Sequence, residues 1–323
     1  MIKTYFYNHQ DQRMYHDVDL SRLQDLLADE NSLLWIDLYN CTLDELKWVA
    51  AKFDFHPLAI EDCLHDSPRS KVDRYDEYYF FTFHALKYDE ESEREVTTEE
   101  LNVFLAKNYI VTVHRHPVQP IGRIAAQSLR DSFHMNKGPD FLLYSIVDGI
   151  TDEYFPIMER ISARIDELED EMYEHPAMEI TEEFLSLKRT IVLIRRVVQP
   201  KKRIFQNVGS AYSFAVKEEN IPYYMDLTDH LERISDSIEV FGDLVSGALD
   251  TYSSLVSAKT NETMRVLTVI TTVTATLTLI TGYFGMNVPI PFQRRWLSTV
   301  IVTAGLLVII WIMIRAFRRR KWI

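Results

Sequence analysis

The 323-residue chain carries 48 acidic and 35 basic residues, a formal net charge of −13, and a mean hydropathy of −0.14, which excludes a polytopic membrane protein. Removing the eight cations that follow Glu262 leaves −21 for residues 1–262, because no Asp or Glu occurs after that point. So acidic a body repels nucleic acid and attracts cations.

Residues 1–7, 32–38, 78–87, 100–106 and 109–114 are short, aromatic and β-branched, and are predicted as strands. Helical patterns fall between them at about 20–29, 42–54 and 57–65. The first opens after Asp19 or Ser21, and Thr42 with Glu45 three residues on makes a capping box for the second. Asp89–Glu100 is expected to be a solvated hairpin loop. An α/β or α+β domain therefore covers 1–117. The N-terminus, Met1-Ile-Lys-Thr-Tyr-Phe-Tyr, has no apolar core of signal-peptide length, and Cys41 and Cys63 have no CxxC spacing. Two free thiols in a reducing compartment are the ordinary expectation.

From about Pro120 everything reads as helix, with Pro156, Pro176, Pro200 and Pro222 as punctuation. The acidic series within 152–183 reads as a solvated helix face or as a diffuse cation-attracting surface. After Pro222 a helix of some sixty residues, roughly 90 Å long, is expected. That is too long for a globular core, so residues 223–287 read as a stalk that becomes the first membrane span at about 266–286. Residues 118–222 are then a helical, acid-rich region.

Val266–Gln293 and Trp296–Ile314 are uncharged, and each is long enough to cross a bilayer. A short outer segment, 288–295, separates them; the second span is 296–316 and a basic tail follows at 317–323. Five cations from Arg315 to Lys321 outweigh Arg294 and Arg295, which places both termini in the cytoplasm and the chain in the plasma (inner) membrane. Two helices cannot enclose a polar path alone, so conduction requires oligomerisation.

Along the long helix, Asp250, Ser257, Asn261, Met264, Leu267, Thr271, Ala275, Thr278 and Gly282 recur at near-whole numbers of turns. Seven threonines lie between Thr268 and Thr281. Each hydroxyl could bond its own backbone or bridge helices; the stripe as a whole reads as a pore lining.

The span ends in Gly282-Tyr-Phe-Gly285-Met286-Asn287. Gly285-Met286-Asn287, two C-terminal spans and a basic tail resemble the CorA-type metal transporters, defined by a Gly-x-Asn signature. Thr260-Asn261-Glu262-Thr-Met264-Arg-Val-Leu267-Thr and His56-Pro57-Leu-Ala-Ile-Glu61-Asp62 are also similar to family sequence, so the resemblance covers essentially the whole chain. It implies a funnel-shaped homopentamer in which the first span lines the pore and the second faces lipid. A ring of Asn287 would be the outer selectivity site. Asp250, Met264, Leu267, Ala275, Thr278 and Gly282 would face the pore, with Met264 and Leu267 as a hydrophobic constriction. Asp89 and Asp226 match the family's regulatory metal positions between neighbouring subunits.

The implied cargo is Mg²⁺, with Co²⁺ and Ni²⁺ as further substrates and cytoplasmic Mg²⁺ as feedback ligand. An amide ring suits a cation that keeps its waters. A divalent ion crossing 100 mV gains about 4.6 kcal/mol, roughly a two-thousandfold concentration ratio, so no nucleotide is needed. Two features depart from the magnesium pattern: Val288–Arg295 is basic rather than acidic, and Ala275 stands where some members carry a bulky side chain. A zinc-transporting relative resembling ZntB, with or without proton coupling, is therefore the alternative; His114 and His116, spaced to share a strand face, could hold Zn²⁺ in the cytoplasmic domain, though ordinary surface or turn histidines are the expected reading. A membrane-anchored metal sensor is the reading from another class. No P-loop, GxSxG or HExxH is present, so no catalytic residue is assigned.

Overall fold

The computed structural model describes residues 1–89, 96–174, 178–209, 214–286, 296–320 and Trp322. Two compact units result, Met1–Ala248 and Leu249–Ile323.

The first unit is built on a seven-stranded sheet. Its strands are β1 Ile2–Asn8, β2 Arg13–His16, β3 Leu33–Tyr39, β4 Lys71–Arg74, β5 Tyr79–Tyr88, β6 Val96–Leu105 and β7 Tyr109–His114, in the order β2-β1-β3-β7-β6-β5-β4. Only β3 and β7 pair in parallel. The strand from β3 to its parallel neighbour must cross over, and the chain uses that crossover for α2 (Leu43–Phe53), α3 (Pro57–Leu64) and the β4–β6 meander. The expected capping box holds α2: Glu45 N–H donates to Thr42 Oγ1 at 3.2 Å and Thr42 N–H to Glu45 Oε2 at 2.8 Å.

One sheet face buries Leu34, Ile36, Phe80, Phe104 and Val111 against Leu46, Val49, Phe55 and Ala59 of the crossover. The other face presents Phe81 and Phe83 to Phe214 and Phe205. Strands buried on both sides need apolar residues at nearly every position, and Tyr79–Leu86 supplies them except at Thr82, bonded to Asn102 at 2.8 Å, and His84, whose Nε2 meets Ser67 O at 2.9 Å. The second face is covered by helices among α4 (Gln119–Arg130), α5 (Phe133–Asn136), α6 (Pro139–Asp152), α7 (Tyr154–Glu174) and α8 (Met178–Phe205). α1 is the short Leu23–Leu27.

Two expectations are corrected. Asp89–Glu100 is not wholly loop: β6 begins at Val96, where Thr97 and Thr98 pair with Lys87 and Leu86. Glu100 fits within the strand because Ser67 N–H and Asn102 Nδ2 donate to its carboxylate, at 2.6 and 2.7 Å. Pro200 does not punctuate. It lies inside α8, between the buried Val198 and Lys201, where packing against the sheet outweighs the missing N–H. Pro139 and Pro222 stand in the first turns of α6 and α9, where a backbone donor has no partner to lose. Pro176 lies outside the described residues.

α9 runs unbroken from Ile221 to Gly285, 65 residues, and α10 from Trp296 to Arg319. Both contain stretches long and apolar enough to cross a membrane, with 6% and 0% of the most apolar window buried.

Candidate metal pathway and metal-ligating cluster

In the second unit, burial divides each helix into two faces. On α9, Val269 is buried and Val273, Thr276, Leu277 and Ile280 are half-buried, while the intervening positions are exposed. On α10 the half-buried positions are Val302, Leu306, Ile309, Ile310, Met313 and Phe317. Both sets repeat every three or four residues, the signature of two helices packed along one face each.

Met264, Leu267, Thr271, Ala275, Thr278 and Gly282 are all exposed. At about 100° per residue, their mean direction lies roughly half a turn from the covered face of α9. The stripe thus points away from α10. Met264 and Leu267 are each 56% exposed, an apolar pair with no cover in a single chain. Asp250, about four turns nearer the start of the helix, is also exposed. Gly285 ends α9 and Met286 follows it; Asn287 lies outside the described residues.

The threonine hydroxyls donate to their own helix. Thr271 Oγ1 bonds Leu267 O and Thr278 Oγ1 bonds Thr274 O, both at 2.8 Å, and Thr268, Thr272, Thr276 and Thr281 do likewise. This consumes the proton and leaves the oxygen lone pairs facing outward. On the stripe, Thr271 and Thr278 therefore present acceptors, the group that the outward hydrogens of a hydrated cation require.

In the first unit Asp226 is part of a larger group. Asp226 and His230 sit one turn apart on α9, facing Asp148 and Asp152, one turn apart on α6. Ligand atoms of Asp148, Asp152 and His230 lie within 4.8 Å of one another. His230 Nδ1 is 3.7 Å from Asp148 Oδ1 and His230 Nε2 is 3.8 Å from Asp226 Oδ2. Asp148 Oδ1 and His230 Nδ1 are buried without a hydrogen-bond partner. Too far apart to bond each other, two such atoms have the spacing of neighbouring ligands on one cation. Burial, then the charge of Asp152, pushes the Asp148 carboxyl above its usual range, against the opposing pull of His230, the Tyr144 hydroxyl at 3.3 Å notwithstanding. A bound cation would reverse that cost. Two helices each carrying an i, i+4 pair was a readable signal; the meeting of α6 with α9 was not. Asp89 follows the end of β5 and is not one of this group.

His114 and His116 are not arranged as a zinc pair. His114 is buried, with Nδ1 on His116 O at 2.6 Å and Nε2 on Asp37 Oδ1 at 3.1 Å. Both partners accept, so both ring nitrogens are engaged and neither is turned toward a metal. Burial pulls its pKa down, but the Asp37 bond and charge and the His116 carbonyl outweigh it and hold it above the usual value. His116 lies past the end of β7, exposed, 4.0 Å from Glu99.

The chain matches the sequence profile described as CorA-like Mg²⁺ transporter protein over residues 30–320. The cobalt/magnesium transport protein CorA of Thermotoga maritima is 34% identical over 303 residues, 91% of this chain and 85% of the relative. The zinc transport protein ZntB of Yersinia enterocolitica is 21% identical over 264 residues, 81% and 79% of the two chains. Among solved structures, the complete CorA magnesium transporter of Methanocaldococcus jannaschii superposes with a TM-score of 0.85 at 23% identity, covering 100% of this chain and 99% of the other. A profile match across nine-tenths of the chain and a full-length fold likeness agree with the two apolar helices and their uncharged stripe: this chain belongs to the CorA-like Mg²⁺ transporter family.

Proposed function

We propose that the chain carries Mg²⁺, and Co²⁺ with it, across the plasma membrane as a homopentamer whose α9 helices line the pathway. The observation that carries this reading is the uncharged stripe of α9, turned half a turn away from the face covered by α10. Five copies arranged with these stripes inward would present Met264 and Leu267 as an apolar constriction and Thr271 and Thr278 as acceptor rings. Asn287 would stand at the mouth. Large enclosing assemblies need such a surface free, and α10 leaves it free. The relatives named for cobalt/magnesium transport support the cargo. The zinc reading has the ZntB likeness in its favour but has lost its cytoplasmic histidine pair.

Regulation is proposed at the α6–α9 cluster. Divalent ions held by Asp148, Asp152, Asp226 and His230, with Asp89 reaching from a neighbouring subunit, would neutralise repulsion among the acidic bodies and favour one symmetric, closed arrangement. Low cytoplasmic Mg²⁺ would then loosen it. N- and C-termini would both be cytoplasmic.

Competition flux into liposomes holding only this protein tests the cargo. Mg²⁺ entry inhibited by Co²⁺ and Ni²⁺, with Zn²⁺ the weakest competitor, is expected. Zn²⁺ entry that Mg²⁺ does not inhibit would replace this reading with the zinc one.

A further inference from the structure

We propose that the groove between α4 and the sheet of the first unit binds a small monocarboxylic acid with an apolar body. All of its residues belong to the first unit, so it stands whether or not α9 lines a metal path.

The groove has a volume of about 440 Å³, within the range of small-molecule sites. Its floor is the face of β1, β3 and β7 that carries Tyr5, Asp37 and His114, each of them buried. Its wall is α4, where Gly122, Ala126 and Leu129 recur every three or four residues and are all exposed. Small residues at the first two of these positions keep α4 from filling the space: a Cβ on Gly122 would meet nothing within 4 Å. Leu129, 46% exposed, leaves an apolar side chain at the rim.

Tyr5 is only 7% exposed, yet its hydroxyl makes no hydrogen bond among the described residues, although a buried phenol ordinarily finds a partner. Its ring is fixed against Trp35, with centroids 4.9 Å apart. Burial, then the charges of Asp37 and Asp17, holds the hydroxyl above the usual phenol range, so it remains a donor. Lys3 stands opposite Asp37 in the β1–β3 register, exposed and without an ion pair among the described residues. Asp37 is the only acid among the described residues lining the groove. Its Oδ1 already accepts from the Thr112 hydroxyl at 2.6 Å and meets His114 Nε2 at 3.1 Å.

An unpaired phenol donor and an unpaired ammonium beside an apolar wall call for an anionic acceptor with an apolar body behind it. A carboxylate supplies the acceptor, taking one bond from the Tyr5 hydroxyl and one from the Lys3 ammonium. A small inorganic anion has no body to cover the α4 wall. A cation would meet Lys3 first, and Asp37, the one acid there, is already engaged. The net charge of −13 opposes any general attraction for anions, so binding here has to come from these particular groups.

The test is equilibrium dialysis of the full chain in detergent against radiolabelled phenylbutyrate at neutral pH, with protein-free micelles as the blank. Phenylbutanol and phenylbutylamine are the uncharged and cationic counterparts. Phenylbutyrate should bind at a single saturable site and raise the melting temperature, and both counterparts should bind at least about tenfold more weakly. Tyr5→Phe keeps the ring packing and removes the donor, which should cost about tenfold in affinity. Lys3→Gln, at an exposed position, should cost about fivefold. Gly122→Leu should close the groove and abolish binding without lowering the melting temperature, because leucine suits a helix better than glycine. Lys87→Gln, an exposed cation on β5 outside the groove, should leave affinity unchanged. Equal losses at Lys87 and Lys3 would overturn the proposal, as would binding of phenylbutanol as tightly or undiminished binding in Gly122→Leu. No binding to wild type, with a changed oligomeric state in Gly122→Leu, would assign the groove to contact between copies of the chain instead.

Discussion

Lys201 should weaken the protein at neutral pH, and replacing it should strengthen it. The side chain is fully buried on α8, donating to His84 O at 3.1 Å and to the Tyr154 hydroxyl, which itself donates to His84 O at 2.5 Å. No carboxylate partners it, and burial pulls its pKa from 10.5 down to about 7. A shift of that size corresponds to about 5 kcal/mol between the two protonation states. The sign follows from proton counting. Between pH 7 and about 10.5 the unfolded chain holds a proton that the folded chain has released, so stability rises with pH across that window. Below pH 7 both states are protonated and the full cost persists. Lys201→Met removes the cost but also two hydrogen bonds worth about 1 kcal/mol each. The net gain at pH 7 should be about 3 kcal/mol, or roughly 6–12 °C for a unit of this size. Thermal unfolding of the full chain in detergent, followed by tryptophan fluorescence at pH 7 and pH 10, measures it. At pH 10 little of the ionisation cost remains, about 0.8 kcal/mol, so the two lost hydrogen bonds should leave the variant about 1 kcal/mol less stable than wild type. A variant less stable than wild type at pH 7, by an amount unchanged at pH 10, would refute the reasoning and require a counterion for the ammonium.

Three further outcomes are expected. Met264→Ser with Leu267→Ser should raise resting Mg²⁺ leak in vesicles, since a narrow apolar ring resists wetting until it widens; unchanged leak in a folded variant would move the constriction elsewhere. His230→Ala should raise the Co²⁺ needed for half-maximal protease protection of the cytoplasmic part at least about tenfold, and equal protection would remove His230 from the cluster. Asp226→Lys should reduce the difference in protection with and without Mg²⁺, because a fixed ammonium replaces the bound ion; a wild-type chain with no such difference would end the feedback proposal.

Legibility followed how much of an element's pattern was local. β1, β3, β5 and β7 were readable because strands buried on one or both faces need aromatic and β-branched runs. β2 and β4 were not: Arg13–His16 and Lys71–Arg74 are four-residue edge strands, largely exposed, with no apolar alternation to betray them. The α9 stripe was readable from residue type and spacing, but that α10 covers the opposite face depends on two helices meeting. For the same reason Asp226 could be named alone, while Asp148 and Asp152, 74 or more positions earlier, could not. The partner of His114 could not be read from the sequence, because Asp37 comes from a strand 77 residues away, joined by the parallel β3–β7 pairing.

The central claim is that the uncharged stripe of α9 lines the metal path. Thiol-blocked flux at Thr278→Cys, with Val273→Cys on the α10-covered face as the contrast, tests it directly. Liposomes containing this chain alone, with Cys41 and Cys63 replaced by serine, would be loaded with a Mg²⁺ indicator and treated with a charged, membrane-impermeant thiol reagent. The account expects Mg²⁺ entry to stop in the Thr278→Cys protein and to continue in the Val273→Cys protein. Block at Val273→Cys with entry undiminished at Thr278→Cys would contradict it.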